Sequence, residues 1–372
     1  MKHALLERAK RVVVKVGSGV IAAGGVLEEQ QIEAVTSGVC ELLKRNLEVV
    51  LVSSGAVAAG KGALGIEGRP ATIPLQQAAA AIGQSRLMRA YKDSFEGYQQ
   101  TVAQILLTRD DLGHRRRYLN ARNTLMTLIE HHITPIINEN DTVVVEEIRF
   151  GDNDNLSALV CQLVEADLLI ILSDVDGLYD KDPSGHSDAK LIAEVQEITP
   201  QIEAIAGTSS TLVGTGGMAT KLQAARTATQ SGVTTLIVNG RKAGVLAEVF
   251  DGVSHGTLFL PNPKKMTARK HWIAFSKRTR GSLYLDEGAC RALSKGGKSL
   301  LPSGIARFEG NFDRGDAVKL CNLDGEEFAR GVIGYSHLEL ARIAGCKSSE
   351  IEACLGYKYG DEVVHRDNLV LK

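Results

Sequence analysis

The chain has 372 residues, of which 44% are hydrophobic and 23% are charged, a composition typical of globular proteins with two or three domains. Its longest apolar runs, such as LLIIL at 168–172, are far shorter than the roughly 20 residues of a membrane-spanning helix, and its charged N-terminus lacks a secretory signal. We therefore expect a cytoplasmic protein without a membrane partner. The six cysteines form no C-x-x-C pair, which argues against a disulfide framework or a zinc knuckle.

In the first 260 residues, short β-branched runs alternate with longer stretches of helical periodicity. They predict, in chain order, strand 12–16, helix 28–45, strand 49–53, helix 74–95, strand 102–107, helix 116–131, strand 134–138, helix 156–165, strand 168–173, helix 218–231 and strand 234–238. Several runs are apolar at nearly every position, as in strands that are buried on both faces of a parallel sheet. The pattern predicts an α/β fold, a three-layer αβα sandwich with a mainly parallel sheet.

The pattern changes after residue 249. A turn-rich stretch at 251–263 precedes short runs at 281–285, 317–321 and 328–333, at the spacing of a small β-barrel. We expect a first domain at 1–260, a linker at 261–274 and a second, β-barrel-like domain at 275–372. Residues 264–372 carry 19 Lys and Arg against 14 Asp and Glu, and this mildly basic balance is compatible with an RNA partner.

Two glycine-rich loops each carry a lysine. Lys15 precedes Gly17 and Gly19 at the end of the first strand, and the stretch GTGGMATK at 214–221 opens a helix and ends at Lys221. Glycines let backbone N–H groups approach phosphate oxygens, while an ammonium and a helix N-terminus add positive potential. A tight turn or a hinge is the alternative for each loop alone. Neither the dinucleotide-binding fingerprint nor a Walker A motif fits the sequence.

Two dense clusters of carboxylates and amides are the most unusual stretches of the chain. NEND at 138–141 follows a strand, and GDNDN at 151–155 precedes a predicted helix. One polar residue suffices to cap a helix, whereas such clusters suit an amino-acid ligand; divalent metal binding is the alternative. Ser54 after the second strand suits a substrate carboxylate, with a plain helix cap as the alternative, and SDVDGLY at 173–179 suits a purine, with a loop that binds no ligand as the alternative. The two glycine loops with their lysines and the two polar clusters together predict phosphoryl transfer from a nucleotide to a small acceptor at the carboxyl edge of the sheet.

Taken together, these motifs resemble those of the glutamate 5-kinase family, amino-acid kinases whose bacterial members carry a C-terminal PUA domain. The resemblance covers essentially the full length of the chain. It rests on KVGSGV at 15–20, SSGAVAAG at 53–60, LNAR at 119–122, INENDTV at 137–143, FGDNDNLSA at 150–158, SDVDGLY at 173–179, GTGGMATK at 214–221, LLPSGI at 300–305 and GNFDRGD at 310–316. It implies an amino-acid kinase catalytic domain at 1–260 and a PUA domain at 275–372.

The resemblance also implies a reaction, the phosphorylation of the side-chain carboxylate of L-glutamate by ATP with Mg²⁺, which is the first step of proline biosynthesis. Because this carboxylate is already ionised at neutral pH, it needs no general base. Catalysis then consists of positioning and charge neutralisation. By resemblance, Lys15 and Lys221 neutralise the transferring phosphoryl group on its two sides, and Asp154 holds both ammonium groups in place.

The other site residues are carried over from the resemblance in the same way. Those expected to bind glutamate are Ser54, Asp141, Asn153, Asn138 and Asp152. Those expected to bind ATP are Lys15, Ser173, Asp174, Thr215, Gly216, Gly217, Met218, Ala219, Thr220 and Lys221. No residue is assigned to a metal.

Expected partners are also implied by the resemblance. They are proline as a feedback inhibitor, further copies of the chain in a tetramer or a dimer, and glutamyl phosphate reductase as the recipient of the labile product. Two alternatives stay open, an amino-acid kinase specific for aspartate or acetylglutamate, and an RNA-binding regulator that acts through the PUA domain.

Overall fold

The computed structural model describes residues 2–23, 26–68, 70–113, 115–143, 153–183, 185–207, 217–261 and 279–371. The chain divides into two compact units, Met1–Lys265 and Met266–Lys372. Among the residues described, no helix combines the length and the apolar composition needed to cross a bilayer. Asp152, Thr215 and Gly216, three of the predicted site residues, lie outside the described residues.

The first unit is built on an eight-stranded sheet. The strands of this sheet are β1 (Arg11–Val16), β4 (Glu48–Ser53), β5 (Val102–Leu107), β6 (Thr134–Glu139), β7 (Leu168–Ser173), β8 (Glu194–Val195), β9 (Thr234–Asn239) and β10 (Thr257–Phe259). Two further short strands, β2 (Ala22–Ala23) and β3 (Val26–Leu27), form a separate hairpin. The order in the sheet is β5-β6-β4-β1-β7-β9-β10-β8, and every pair is parallel except β9 with β10. The mainly parallel sheet is confirmed.

Helices cover both faces of this sheet. They are α1 (Lys2–Glu7), α2 (Ser18–Ile21), α3 (Glu29–Lys44), α4 (Ala56–Lys61), α5 (Ile73–Glu96), α6 (Arg109–Gly113), α7 (Arg115–Glu130), α8 (Asn153–Val164), α9 (Pro200–Gly207), α10 (Met218–Gln230) and α11 (Val245–Phe250). Val12 and Val14 of β1 pack in one core with α3, α5 and α11, whereas Val13 packs in a second core with α7, α8 and α10. The three-layer sandwich is therefore confirmed, because successive side chains of a strand point to opposite faces.

The register brings the chemically interesting strand ends to one edge. Val16 at the end of β1 lies opposite Ser53 of β4 and Leu172 of β7. Since neighbouring parallel strands end together, the loops after β1, β4, β6 and β7 share this carboxyl edge, where open α/β sheets bind ligands.

Helices α4 and α5 touch through their backbones. A Cβ atom on Gly60 would lie 1.8 Å from the carbonyl oxygen of Ala79, and one on Gly83 would lie 1.7 Å from the carbonyl oxygen of Ala56. No other residue fits at either contact without separating the helices. This contact fixes α5 against the segment that follows β4.

The second unit contains a mixed five-stranded sheet. Its strands are β11 (Gly281–Leu285), β12 (Ile305–Gly310), β13 (Ala317–Cys321), β14 (Glu327–Val332) and β15 (Leu369–Leu371), in the order β12-β11-β13-β14-β15. Its helices are α12 (Glu287–Ser294), α13 (His337–Ile343) and α14 (Ile351–Leu355). Leu283, Val318 and Tyr335 are among the side chains of its separate core. The three predicted strands of this unit are present, and the sequence analysis did not identify β12 and β15.

Candidate active site

Two lysines converge on one carboxylate at the carboxyl edge of the sheet. Lys15 Nζ lies 2.6 Å from Asp154 Oδ1, and Lys221 Nζ lies 3.5 Å from Asp154 Oδ2. The three side chains, which we call the cationic cluster, come from β1, the first turn of α8 and the first turns of α10. All three are at least 95% buried, so their charges are poorly screened by solvent.

The cluster carries two ammonium groups for one carboxylate. Burial raises the pKa of Asp154, but the charges of Lys15 and Lys221 outweigh burial and leave that pKa below its ordinary value. Burial is also the main cause that lowers the pKa of Lys221, against the attraction of Asp154. A second anion would relieve the repulsion between the two ammonium groups, so the cluster is suited to bind a polyanion.

Asp154 is also held by a hydroxyl. Thr220 Oγ1 donates to Asp154 Oδ2 at 2.8 Å. The position of Asp154 in the first turn of α8 is favourable for a negative charge, because the N-terminus of a helix carries a partial positive charge. Helix α8 begins at Asn153, three residues earlier than the sequence analysis predicted, and this earlier start places Asp154 on the helix.

The two glycine loops differ in how much room they leave beside the cluster. A Cβ atom on Gly217, which caps α10, would meet no described atom within 4 Å. A Cβ atom on Gly17 would lie 3.2 Å from the Leu172 carbonyl oxygen and 3.8 Å from Lys15 Nζ, so the loop after β1 is closely packed. The open space therefore adjoins the N-terminus of α10, where backbone N–H groups favour phosphate oxygens.

The loop after β1 lies against the end of β7. A Cβ atom on Gly19 would lie 3.0 Å from Asp174 Oδ2, and the Ser173 hydroxyl donates to Asp174 Oδ1 at 3.1 Å. A small cavity of about 130 Å³ opens nearby, lined in part by Asp176 and Asn239. Hydrogen bonding with Lys242 is the largest cause that lowers the pKa of Asp176.

Amide side chains form a second group at the same edge. Asn153 Nδ2 donates to the Ser53 carbonyl at 3.0 Å, to Ser54 Oγ at 3.0 Å and to Asn138 Oδ1 at 2.9 Å. Asn138 Nδ2 in turn donates to Gln84 Oε1 at 2.7 Å. These contacts join β4, α5, β6 and α8.

Asp141 follows β6 by two residues and is partly buried. Burial raises the pKa of its carboxyl from 3.8 to about 6. A cation that approached this carboxyl would favour its ionised form, so the site gains affinity for an ammonium group as the carboxyl loses its proton.

The structure thus brings together two sets of predicted residues, Lys15, Asp154, Thr220 and Lys221 in one set and Ser54, Asn138 and Asn153 in the other. It places Ser173 and Asp174 at the end of β7 and Gly217, Met218 and Ala219 at the start of α10.

The sequence analysis missed two residues of α5. One is Gln84, and the other is Tyr91, whose hydroxyl lies 2.9 Å from Ser53 Oγ. A polar residue inside a helical pattern gives no signal of such a contact.

Comparison with known proteins agrees with this geometry. Residues 10–239 match the amino acid kinase family, and residues 281–355 match the PUA domain. A protein of Syntrophotalea carbinolica called glutamate 5-kinase is 63% identical over 372 residues, and one of Geobacter sulfurreducens with the same name is 56% identical, with 100% of each chain covered in both cases.

Among solved structures, a carbamate kinase from Giardia lamblia bound to AMP-PNP aligns with a TM-score of 0.50 at 15% identity, covering 68% of this chain and 99% of that one. This likeness concerns the fold. The family match covers more than half of the sequence, and the two relatives cover all of it. The chain therefore belongs to the amino acid kinase family, with a C-terminal PUA domain.

Proposed function

We propose that the protein phosphorylates the side-chain carboxylate of L-glutamate with ATP, giving L-glutamyl 5-phosphate and ADP. The observation that carries this proposal is the cationic cluster beside the amide group around Asn153, one suited to phosphates and the other to an amino acid. The names of the full-length relatives support the choice of glutamate.

In this reaction an oxygen of the glutamate side-chain carboxylate attacks the γ-phosphorus of ATP, and the bond to the β,γ-bridging oxygen breaks. No proton has to be removed, because the carboxylate is already ionised at neutral pH. The protein must instead bring two anions together. Lys15 and Lys221 neutralise the negative charge that would keep them apart, and Asp154 holds the two ammonium groups at a fixed separation.

The open N-terminus of α10 receives the phosphates. Gly217 caps this helix, and Met218, Ala219 and Thr220 form its first turn. The first hydrogen bond of the helix is donated by the Thr220 backbone N–H to the Gly217 carbonyl, so the backbone N–H groups of Gly217, Met218 and Ala219 lie before it and can receive phosphate oxygens. Thr215 and Gly216 precede this turn in the sequence, and Ser173 with Asp174 contributes from β7.

Mg²⁺ would travel with the nucleotide. Within the described ranges, no three His, Cys, Asp or Glu side chains are grouped so that they could hold a metal ion on their own. We therefore expect Mg²⁺ to take most of its ligands from phosphate and water, as this ion does in many kinases. When bound, it neutralises negative charge on the phosphates.

The amino end of glutamate lies against the side chains of Ser54, Asn138 and Asn153. Ser54 Oγ accepts from Asn153, so the Ser54 hydroxyl keeps its own proton to donate to a carboxylate. Asp141 and Asn153 supply oxygen atoms toward an ammonium, and Asn138 supports this contact by accepting from Asn153 Nδ2. Asp152, which directly precedes α8 in the sequence, adds a further carboxylate.

The same proposal places the protein at the first step of proline biosynthesis in the cytoplasm. Proline then acts as its feedback inhibitor, the chain assembles as a tetramer or a dimer, and the labile product is handed over to glutamyl phosphate reductase. Mixing the two enzymes tests the hand-over, since an unchanged lifetime of free L-glutamyl 5-phosphate contradicts it.

A substrate panel tests the reaction itself. The purified protein is given ATP, Mg²⁺ and glutamate, aspartate or N-acetylglutamate, with hydroxylamine present to trap the acyl phosphate. We expect rapid formation of ADP and hydroxamate with glutamate alone. Faster turnover of aspartate or N-acetylglutamate refutes the assignment, and tight, salt-sensitive RNA binding without any ATP turnover favours an RNA-binding function instead.

A further inference from the structure

Helix α5 contributes one polar side chain to the hydrogen-bond network of Asn138 and Asn153. Gln84 Oε1 accepts a hydrogen bond from Asn138 Nδ2 at 2.7 Å. Asn138 is 2% exposed, and its Oδ1 accepts from the Glu139 backbone N–H at 2.8 Å and from Asn153 Nδ2 at 2.9 Å. Both ends of the Asn138 amide are therefore used, and Gln84 supplies the acceptor for its nitrogen.

Asn153 ends this chain of contacts with a free acceptor. Its Nδ2 shares two N–H groups among three oxygens within 3.0 Å, while its buried Oδ1 has no hydrogen-bond partner among the described residues. Leaving such an oxygen buried and unpaired costs about 1–3 kcal/mol, so its retention calls for an explanation. An ammonium group, which carries three donors and no acceptor, is the complementary partner.

The position of α5 makes Gln84 a rigid support. The neighbouring Gly83 lies in backbone contact with Ala56, so the helix is fixed against the segment after β4. Tyr91 lies seven residues after Gln84, on the same face of the helix, and its hydroxyl is 2.9 Å from Ser53 Oγ. Helix α5 thus contacts the end of β6 through Gln84 and the end of β4 through Tyr91.

We propose that Gln84 is a positioning residue for the amino end of the substrate. It holds Asn138, Asn138 holds Asn153, and Asn153 presents Oδ1 to the α-ammonium group. The proposal rests on the proposed function and adds a selectivity, because the network favours an acceptor with a free ammonium over the same dicarboxylate without one. Gln84 itself does not need to touch the substrate.

The test compares two substitutions of equal length. Gln84→Met removes the acceptor, and Gln84→Glu retains it. For each variant, KM for glutamate, KM for ATP and kcat are measured, together with the inhibition constant of glutarate, which has the carbon skeleton of glutamate but no ammonium. Arg89→Met, on an exposed position of the same helix, is the control.

We expect Gln84→Met to raise KM for glutamate about tenfold, as the loss of one supported hydrogen bond to a charged group would do. KM for ATP and the glutarate constant should stay within about twofold, since neither ligand meets the network through an ammonium. Gln84→Glu should restore KM for glutamate to within about threefold of the wild-type value, because it keeps the acceptor for Asn138.

Three results overturn the proposal: an unchanged KM for glutamate in Gln84→Met, a parallel rise in the glutarate constant, or a Gln84→Glu variant as impaired as Gln84→Met. If Gln84→Met does not fold, Gln84→Ala removes the acceptor without placing a new group in the site and gives the same comparison. A wild-type protein that turns over aspartate instead of glutamate refutes the proposed function alone. In that case, KM for aspartate and the inhibition constant of succinate, measured in the same variants, test the role of Gln84.

Discussion

The ammonium group of Lys15 lies 2.6 Å from a carboxylate oxygen of Asp154, and solvent reaches only 4% and 1% of these two residues. With Lys221 on the other carboxylate oxygen, Asp154 separates two buried cations. On the proposed mechanism, the stability and the activity of the site therefore depend on the same three side chains.

Replacing Asp154 by asparagine should destabilise the fold. The substitution leaves two buried ammonium groups without a counter-charge, and we expect the free energy of unfolding to fall by about 3–5 kcal/mol. Urea denaturation measures the change. Asp93→Asn, which breaks an exposed pair with Arg89, is the control and should lose about 0–1 kcal/mol. Equal losses in both variants contradict the electrostatic role of Asp154.

The contribution of Asp154 should also depend on pH. Because its pKa is lowered on folding, the stability it supplies is present above the ordinary aspartate pKa of 3.8 and disappears as the pH falls through the lower value of the folded state. The difference in unfolding free energy between wild type and Asp154→Asn should therefore be constant from pH 5 to pH 7 and shrink below pH 4. A difference that already shrinks between pH 7 and pH 5 is inconsistent with a lowered pKa.

Replacing Lys221 by alanine should slow the chemical step. If the ammonium neutralises charge on the transferring group, as proposed, kcat should fall about 100-fold or more. A fall of less than about tenfold, roughly 1.4 kcal/mol, refutes this role. Initial rates at saturating ATP and glutamate measure it, with circular dichroism to verify folding. Lys92→Ala, at an exposed position of α5, should leave kcat unchanged.

Glutamate binding should weaken in mild acid. Burial raises the pKa of Asp141 to about 6, so this carboxyl is ionised at pH 7.5 and gains a proton as the pH falls below 6. Only the ionised form attracts the ammonium of the substrate, and KM for glutamate should rise between pH 7 and pH 5 while KM for ATP changes little. In Asp141→Asn, KM for glutamate should be high and nearly independent of pH over this range. A wild-type KM that stays flat removes Asp141 from the substrate site.

A methyl group at the contact between α4 and α5 should destabilise the first unit. In Gly83→Ala the new Cβ atom would lie 1.7 Å from the Ala56 carbonyl oxygen, so the helices must separate, at about 1–3 kcal/mol or more. Gly62→Ala is the matched control, since Gly62 has a φ of −61° and open space around its Cβ position, and it should be neutral or slightly stabilising. Thermal unfolding distinguishes the two, and similar melting temperatures contradict a tight contact.

Much of the first unit could be predicted because its strands are buried on both faces. Residues 12–16 and 168–173 are apolar at nearly every position apart from Lys15 and Ser173, and both stretches are central strands. The convergence of Lys15 and Lys221 could be anticipated from their places in the sequence. Lys15 lies near the carboxyl end of a strand, and Lys221 lies near the start of a helix that follows a glycine loop.

Other features depend on contacts that no local pattern encodes. Strand β8 has two residues and β10 has three, too few to show a period, and the antiparallel direction of β10 follows only from its pairing with β9. Gln84 is separated by 54 residues from Asn138, its hydrogen-bond partner. Inside an amphipathic helix, one glutamine among small and apolar residues looks the same whether it meets solvent or another amide.

The order of the sheet also bears on the time at which activity can first appear during synthesis. Strand β1, which carries Lys15, leaves the ribosome early, but it lies between β4 and β7 and cannot complete its pairing until residues 168–173 have emerged. Lys221 follows later still, after more than half of the chain has been translated. On the proposed role of Lys221, a nascent or prematurely terminated chain that stops before this residue cannot transfer phosphate, so turnover requires translation beyond residue 221.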